Sequence, residues 1–423
     1  MFIPSTFSQA EVQLVKRFAK NVAVLEAELN MTFQERQFLI RQFLLSLING
    51  RNVLVYGTHG TAKTKIAKAI FDSIEGKGVD GKEKRLFEIQ FDTETNMDEV
   101  VGPMHPEIYQ KQGIVVRNVE GYLPTADFAL LDEYFEALSV LRATNDIMNE
   151  KVFQNGPQIV KAPLLQAIAT TNRKPEEIAA IYSMLSLPSV NDRFLCVSEV
   201  DNIKDDENLH QMLVNFVMGI KPTAHLDFGD IQRIIELAGR TNQFPNADYL
   251  KVFQRALRAY ETKITKKNGG AVLPSRRWAW LTQVVEANAL LEGRTELYVD
   301  DILATVYALA HNTESVEYVT FMETVPPILE KAKAELGEDT DKVQKNLLER
   351  IEGEIRQIND KITDPSWSAG ATPAVIGSTV SRIAKIQSEI EAIKPALKSN
   401  QDLKAKLLAQ AEKANKKVLE SLK

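Results

Sequence analysis

The sequence predicts an α/β sandwich with a parallel β-sheet, followed by a mostly helical second half. Short apolar runs rich in β-branched residues recur along the first half, and stretches with helical periodicity separate them. Such runs are typical of strands buried on both faces, and their alternation with helices indicates a parallel sheet. We expect strands at residues 52–56, 86–91, 128–131, 164–170 and 194–200.

The composition is that of an ordinary soluble protein with several domains. A chain of 423 residues, 44% of them hydrophobic, exceeds one compact core, so we expect about two to four domains. The net charge of −6 argues against a dedicated nucleic-acid binder, which is usually basic. The lone cysteine, Cys196, excludes an internal disulfide and suits a reducing compartment. We recognise no signal peptide, membrane span or metal-ligand spacing, and expect a cytoplasmic protein.

The first 50 residues have helical periodicity. Thr32 and Glu35 have the spacing of a capping box ahead of an apolar series, and Asn49-Gly50 is a helix stop signal. Further on, residues 97–125 interrupt the strand–helix alternation with several turn signals around Ile114–Val116. We expect an inserted hairpin there and a second hairpin at Asn155-Gly156, because Asn-Gly is a strong hairpin turn signal.

The second half predicts two helical parts. Strand runs vanish over about 204–315, and Pro326-Pro327 is expected to mark a boundary. The tail contains amphipathic stripes of coiled-coil type, with a break near 364–373 and a helix end or kink at Pro395. The expected domains are therefore 1–203, a large nucleotide-binding domain with N-terminal helices; 204–325, an all-α lid; and 326–423, a helical coiled-coil-like hairpin.

The loop after the first predicted strand has the features of a phosphate-binding loop. It connects an apolar strand to a helix, so that its backbone N–H groups and the helix N-terminus attract phosphates. Lys63 is expected to reach the β- and γ-phosphates and Thr64 to bind Mg²⁺. The strict pattern has glycine where this chain has alanine. The loop consists of Gly57, Thr58, His59, Gly60, Thr61, Ala62, Lys63 and Thr64.

Two further strand ends carry polar residues that suit nucleotide hydrolysis. The run at 128–131 leads into Asp132 and Glu133. We expect Asp132 to hold Mg²⁺, directly or through water, and Glu133 to polarise the attacking water as a general base. Asn172 ends the strand at 164–170 and is placed to position that water, because ligands in such sheets bind at the carboxyl ends of strands.

These three elements, in this order, resemble AAA+ ATPases. The segment around Val101-Gly102-Pro103 looks like the helix-2 insert of one AAA+ clade, and the Asn155-Gly156 hairpin looks like its pre-sensor-1 hairpin. DEYFEA at 132–137 and NEKVFQNG at 149–156 are similar to the MoxR family. SRRW at 275–278 and the alanine in the phosphate loop match the RavA-like branch. The resemblance covers about residues 15–315.

The resemblance implies further roles and assembly. Arg193 matches the arginine finger that acts on a neighbouring subunit, and Arg276 matches sensor 2, a role that the adjacent Arg277 can also take. A finger supplied in trans requires an oligomer, and the family implies a hexameric ring with ATP and Mg²⁺ as cofactors. Glu136 stands where the family commonly has a basic residue, so a neighbour-sensing contact there is expected to be lost or reversed in charge.

The leading hypothesis is a MoxR-like, chaperone-like ATPase that remodels or assembles protein clients. Related proteins work beside a separate von Willebrand factor A (vWA) domain protein, and the tail is either a docking module for such a partner or a structural hairpin. The alternative is a nucleic-acid motor of the helicase or restriction type. A basic face on the last helix favours it, but no aromatic residues interleave there for base stacking. A nucleotide-binding scaffold without hydrolysis is a third hypothesis. The basic face consists of Lys404, Lys406, Lys413, Lys416 and Lys417.

Overall fold

The computed structural model of the protein divides into two compact units. It describes residues 7–185, 193–239, 247–268, 273–336, 340–363, 367, 373–393 and 398–420. The first unit comprises Met1–Asn208 with Lys221–Glu330, and the second comprises Leu209–Ile220 with Lys331–Lys423. The expected large and lid segments therefore cluster in one unit, and the boundary at 203 stays a prediction. Among the described residues, no helix has the length and apolarity needed to cross a membrane.

A five-stranded parallel sheet forms the centre of the first unit, as predicted. The strand order is β3-β4-β7-β1-β8, and every neighbouring pair is parallel. The three central strands are almost wholly buried, as their apolar sequences require. The five strands are β1 (Asn52–Gly57), β3 (Leu86–Gln90), β4 (Phe128–Asp132), β7 (Gln166–Thr171) and β8 (Phe194–Val200).

Helices α1 (Gln9–Thr32) and α2 (Gln37–Ile48) precede the sheet, but the predicted capping box is wrong. The Thr32 hydroxyl belongs to the last turn of α1 and donates to the carbonyl oxygen of Glu28. The Glu35 carboxylate instead accepts hydrogen bonds from the distant backbone N–H groups of Lys204 and Asp205, both at 3.0 Å. A capping box lies at the start of α1, between Ser8 and Glu11. The local sequence pattern assigned Glu35 to a helix cap, but its carboxylate makes a tertiary contact instead.

The segment between β3 and β4 contains short helices and irregular chain rather than a regular hairpin. The residues around Ile114–Val116 pair with the chain at 103–105 only through an isolated antiparallel bridge, Met104 to Arg117. Prolines at 103 and 106 remove backbone donors from the opposing arm, so the ladder cannot extend. This insert contains α4 (Met97–Val101) and α5 (Pro106–Gln112).

The second predicted hairpin is present. Strands β5 (Val152–Asn155) and β6 (Gln158–Lys161) are antiparallel, and Asn155 pairs with Gln158 across a two-residue loop. Gly156 has a φ of 59°, which the loop requires and glycine adopts without strain. The helix α6 (Leu141–Glu150) leads into this hairpin, and Lys151 forms its left-handed cap.

Among the described residues, the rest of the regular structure in the first unit is helical apart from two short strands. These are β2 (Ile74–Glu75) and β9 (Leu226–Asp227), which pair with each other in parallel. The Pro326-Pro327 pair lies inside a helix that continues to Leu336, and the domain boundary expected at this pair stays a prediction. The principal helices elsewhere are α3 (Lys63–Asp72), α7 (Pro175–Met184), α9 (Phe228–Gly239), α10 (Ala247–Asn268), α11 (Ser275–Leu291), α12 (Val306–Leu309) and α13 (Val316–Leu336).

The second unit contains a three-helix bundle in the tail. The predicted apolar stripes form its core: Ile351, Ile386 and Leu407 are all fully or almost fully buried. The bundle consists of α14 (Thr340–Thr363), α15 (Pro373–Ala392) and α16 (Lys398–Glu420). Most of α8 (Asp206–Val217) belongs to the same unit. Pro395 lies outside the described residues.

Candidate nucleotide site

The phosphate loop follows β1 and ends in a left-handed residue before α3. A Cβ on Gly57 would overlap the carbonyl oxygen of Val200 on the neighbouring strand, so only glycine fits there. Gly60 has a φ of 79°, and the space beside it is open. Ala62 has a φ of 65°, which explains why the strict pattern has glycine at this position. The alanine costs roughly 1–2 kcal/mol in backbone strain.

Lys63 lies folded into its own loop. Its ammonium donates to the carbonyl oxygens of Gly57 and Thr58, at 2.9 and 2.8 Å, and to Oδ1 of Asn172 at 2.9 Å. The side chain is only 7% exposed, and burial lowers the pKa of its ammonium despite the two acids nearby. Thr61 is buried and donates to the Thr58 carbonyl, which closes the loop. The Lys63 ammonium is therefore held by carbonyl oxygens of its own loop, and the phosphate oxygens of a bound nucleotide would replace them.

The Asp132 carboxylate accepts hydrogen bonds from hydroxyl groups on two elements. Its Oδ1 accepts from Thr64 Oγ1 at 3.1 Å and from the hydroxyl of Thr170 on β7. A carboxylate and a hydroxyl at this separation are oxygen donors of the kind that Mg²⁺ prefers. The donor set at the start of α3 and the end of β4 therefore fits the predicted metal.

Glu133 stands beside Asp132 in a strained backbone conformation. Its φ is 52°, in the left-handed region that non-glycine residues rarely adopt. Its Oε1 accepts a hydrogen bond from the side-chain amide of Asn172. Burial, helped by the charge of Asp132, raises the pKa of Glu133. A carboxylate with a raised pKa is a better proton acceptor, which suits a general base.

Asn172 thus links the phosphate loop to the acid. Its side-chain oxygen accepts from Lys63 and its nitrogen donates to Glu133, so a single amide spans the loop lysine and the expected base. The three residues come from the ends of three adjacent strands, β1, β4 and β7, as the carboxyl-end rule predicts. His59 is exposed on the loop, and its charge would lower the pKa of Glu133.

Arg193 lies at the opposite end of the sheet from the phosphate loop. It precedes Phe194, which pairs with Asn52 at the start of β1, whereas Val200 pairs with Gly57 at its end. Six residues of strand span about 20 Å, farther than an arginine side chain extends. Arg193 is 9% exposed, and its Nε has no hydrogen-bond partner among the described residues.

The two arginines at the start of α11 differ in their surroundings. Arg277 is buried, and its guanidinium donates to the carbonyl oxygens of Phe194 (3.0 Å) and Ala308. Arg276 is exposed; burial, together with the charge of Arg276, lowers the pKa of Arg51, which precedes β1. Arg277 is therefore occupied by structural contacts, and Arg276 is available at the same far end of the sheet as Arg193.

The sequence reasoning missed several members of the site. Thr170 was seen only as part of a strand, although a threonine in an otherwise apolar strand signals a polar contact. Glu136 was singled out for its acidity, but its partner was not: Arg173 donates to both of its carboxylate oxygens, at 2.9 and 2.8 Å. Lys151 was quoted only within a motif; its Nζ is buried without a hydrogen-bond partner in the described structure.

The chain is similar in sequence and fold to several known proteins. Residues 20–227 match the model of the MoxR domain in the MoxR-vWA-beta-propeller ternary systems. Two uncharacterised proteins of Methanocaldococcus jannaschii are 28% and 29% identical over 281 residues, covering 66% of this chain and 68% and 67% of those proteins. The crystal structure of a candidate ATPase from Cytophaga hutchinsonii has a TM-score of 0.51 and 17% identity, covering 75% of this chain and 95% of its own. The last likeness shows the fold alone.

Residues 20–227 are therefore similar to a MoxR domain, in agreement with the resemblance noted in the sequence. The α/β fold with its parallel sheet and its additional helices is confirmed. The matched range includes the phosphate loop, Asp132, Glu133, Asn172 and Arg193. Membership of the RavA-like branch stays a prediction.

Proposed function

We propose that the protein hydrolyses ATP as a ring, in the manner of a chaperone that remodels or assembles protein clients. The observation that carries the proposal is the single amide of Asn172, which contacts both Lys63 and Glu133. A phosphate-binding cation, a polar sensor and a candidate base are thus joined in one network. Such a network reports the presence of a γ-phosphate directly to the group that activates water.

Each residue has a distinct role in this proposal. The loop N–H groups and Lys63 bind and orient the phosphates, while Thr64 and Asp132 hold Mg²⁺. The metal, when bound with ATP, neutralises charge on the β- and γ-phosphates. Glu133 accepts the proton of the attacking water, and Asn172 orients that water. Phosphate binding would draw Lys63 away from the loop carbonyls and release one contact on Asn172, leaving its contact with Glu133.

We assign Arg193 and Arg276 to the nucleotide of a neighbouring subunit. Arg193 lies at the end of the sheet remote from its own phosphate loop, farther than its side chain extends, and Arg276 is adjacent to Arg277, which contacts that same end at Phe194. A guanidinium placed in trans offsets charge that develops on the transferred phosphoryl group. Because Arg193 is mostly buried in the single chain, its side chain must turn outward on assembly. A head-to-tail contact of this kind closes into a ring, for which we propose six subunits.

The insert and the β5–β6 hairpin form the proposed client-contacting surface. Asn155 ties the two together: its side chain accepts from the backbone N–H of Arg117 at 2.7 Å and donates to the Arg117 carbonyl at 3.0 Å. Large apolar side chains beside this junction are exposed, and exposed apolar clusters mark protein-binding surfaces. They are Met104, Tyr109, Ile114, Val115 and Ile159.

A separate vWA-domain protein is the proposed partner, because the matching MoxR family model comes from systems that contain one. The nucleic-acid alternative gains nothing from the tail. Lys406 pairs with Glu352 at 2.9 Å, and Lys404 donates to the carbonyl oxygens of Glu391 and Ile393. Two of the five lysines on the proposed basic face are thus engaged within the bundle.

The decisive experiment is the mass of Glu133→Gln protein by light scattering, with and without ATP and Mg²⁺. The variant is expected to bind ATP, hydrolyse it slowly and rise to about six subunits when nucleotide is present. The Lys63→Ala variant is the matched control, since it should stay small under both conditions. A Glu133→Gln protein that hydrolyses ATP at the wild-type rate would refute the assigned base, and a monomer under both conditions would refute self-assembled rings.

A further inference from the structure

Two turns at the carboxyl edge of the sheet are cross-linked twice. The turn after β4 begins at Glu133, and the backbone N–H of Glu136 donates to the Glu133 carbonyl at 2.9 Å. The chain leaving β7 carries Asn172 and Arg173 in succession. Asn172 donates to Glu133, and Arg173 makes its two-bond contact with Glu136. Asn172 and Arg173, which are adjacent on one turn, therefore bind the first and last residues of the other turn, Glu133 and Glu136.

The turn that carries Glu133 needs such support. A non-glycine residue at a φ of 52° is strained and persists only where its surroundings hold it. The following residue, Tyr134, is anchored by its N–H to the Thr170 carbonyl at 2.9 Å. On the other side of the turn, the Glu136–Arg173 pair is the second side-chain contact, besides Asn172 to Glu133, between this turn and the chain leaving β7. A bidentate arginine–carboxylate pair fixes orientation as well as distance.

We propose that the Glu136–Arg173 ion pair is a positioning device for hydrolysis, which sets the distance between Glu133 and Asn172. The inference rests on the proposed function, because Glu133 and Asn172 are the expected base and sensor. Neither Glu136 nor Arg173 contacts the phosphate loop among the described hydrogen bonds and ion pairs. The pair acts through its neighbours in sequence, each of which is a member of the site.

Because the ion pair is partly exposed, a positioning role and a structural role predict different effects of removing it. The side chains of Arg173 and Glu136 are 34% and 31% exposed. Ion pairs this close to solvent contribute little to global stability. Misplacement of a catalytic group by about 1 Å, in contrast, can lower the rate by roughly a hundredfold. Loss of the pair is therefore expected to appear in the turnover rate and not in the unfolding temperature.

The test compares variants of the full chain under conditions in which the rings are assembled. Glu136→Gln and Arg173→Gln are each expected to lower kcat roughly tenfold, with the KM for ATP changed less than about twofold. Arg173→Lys keeps the charge but loses the two-bond geometry and should fall between wild type and Arg173→Gln. The reversed double variant, Glu136→Arg with Arg173→Glu, is expected to recover kcat above either single variant.

Three results would overturn the inference. The first is full kcat in both single variants. The second is a loss that appears only as a higher KM or as failed assembly by light scattering, which would place Glu136 at a subunit contact. The third is a reversed double variant whose defect is the product of the single defects, because independent residues behave in this way.

Parallel assays distinguish this inference from the proposed function. Wild-type hydrolysis that is abolished by Glu133→Gln but unaffected by the pair variants would overturn the inference alone. A wild-type protein that binds ATP in an assembled ring without hydrolysing it would overturn both. Thermal unfolding of each variant checks that the fold is intact, and Arg173→Lys remains informative if either glutamine variant is unstable.

Discussion

Lys151 offers a sharp test of the buried electrostatics in the first unit. It follows α6, and its Nζ is buried without a hydrogen-bond partner among the described residues. Burial, with the charge of Arg51 nearby, lowers the pKa of Lys151 to about 7. An ammonium in such a place is costly, because burial removes it from bulk solvent and no carboxylate among the described residues pairs with it.

The sign and size of the effect follow from linkage. An unfolded lysine titrates near pH 10.4, and each pKa unit corresponds to about 1.4 kcal/mol. Between pH 7 and about 10.4 the unfolded chain binds more protons at Lys151, so the contribution of Lys151 to the free energy of unfolding rises with pH. The cost of the buried amine is largest below pH 7, up to about 5 kcal/mol, and disappears above about pH 10.4.

The substitution Lys151→Met removes the charge and keeps a side chain of similar length. It leaves the backbone strain unchanged, because methionine meets the same left-handed φ of 54° as lysine. We expect the variant to be more stable than wild type at pH 7, with an advantage that shrinks by roughly 1.4 kcal/mol per pH unit toward pH 9.5. Urea unfolding across this range measures the difference.

The matched control is Lys161→Met, which removes an exposed lysine from the other strand of the same hairpin. Its stability relative to wild type should not depend on pH in this window. A constant difference between Lys151→Met and wild type from pH 7 to 9.5 would refute the reasoning, because it would mean that Lys151 is charged in the folded protein throughout.

Three further predictions concern the site. Lys63→Ala should abolish ATP binding measured by calorimetry, and undiminished affinity would contradict the phosphate-loop assignment. Arg193→Ala should be inactive alone but partly active when mixed with Glu133→Gln subunits, because these assemble and supply an intact Arg193 to the neighbouring site; a mixture without ATPase activity would contradict a finger in trans. Gly57→Ala should lower the unfolding temperature, because the added methyl group overlaps the Val200 carbonyl, and an unchanged temperature would contradict that close approach.

Much of the fold could be read from local sequence because its signals are strong and short in range. The run at 128–131 is wholly apolar and ends in two acids, which together specify a buried strand and its exposed end. The Asn155-Gly156 turn could be predicted equally well, because few residues other than glycine adopt the left-handed conformation of Gly156. Both predictions were confirmed by the structure.

Other predictions were wrong where a side chain contacts a partner distant in sequence instead of the nearby partner that the pattern indicated. Glu35 has the spacing of a capping residue, yet its carboxylate binds the backbone at 204 and 205. The hairpin expected around 114–116 contains only the bridge between Met104 and Arg117, because the arm opposite it carries prolines. The choice between Arg276 and Arg277 was undecidable from sequence, since adjacent residues on a helix face different surroundings that only packing defines.

The sequence by itself determined the parallel sheet, the phosphate loop and the acids that follow β4, because each depends on residues that are neighbours along the chain. Only the tertiary structure decided that Asn172 joins Lys63 to Glu133, that Arg173 grips Glu136, and that Arg193 lies about 20 Å from its own loop. The physical reason is that strand order and register bring residues distant in sequence together or hold them apart. Both properties depend on how several segments pair, so no single segment of the sequence specifies them.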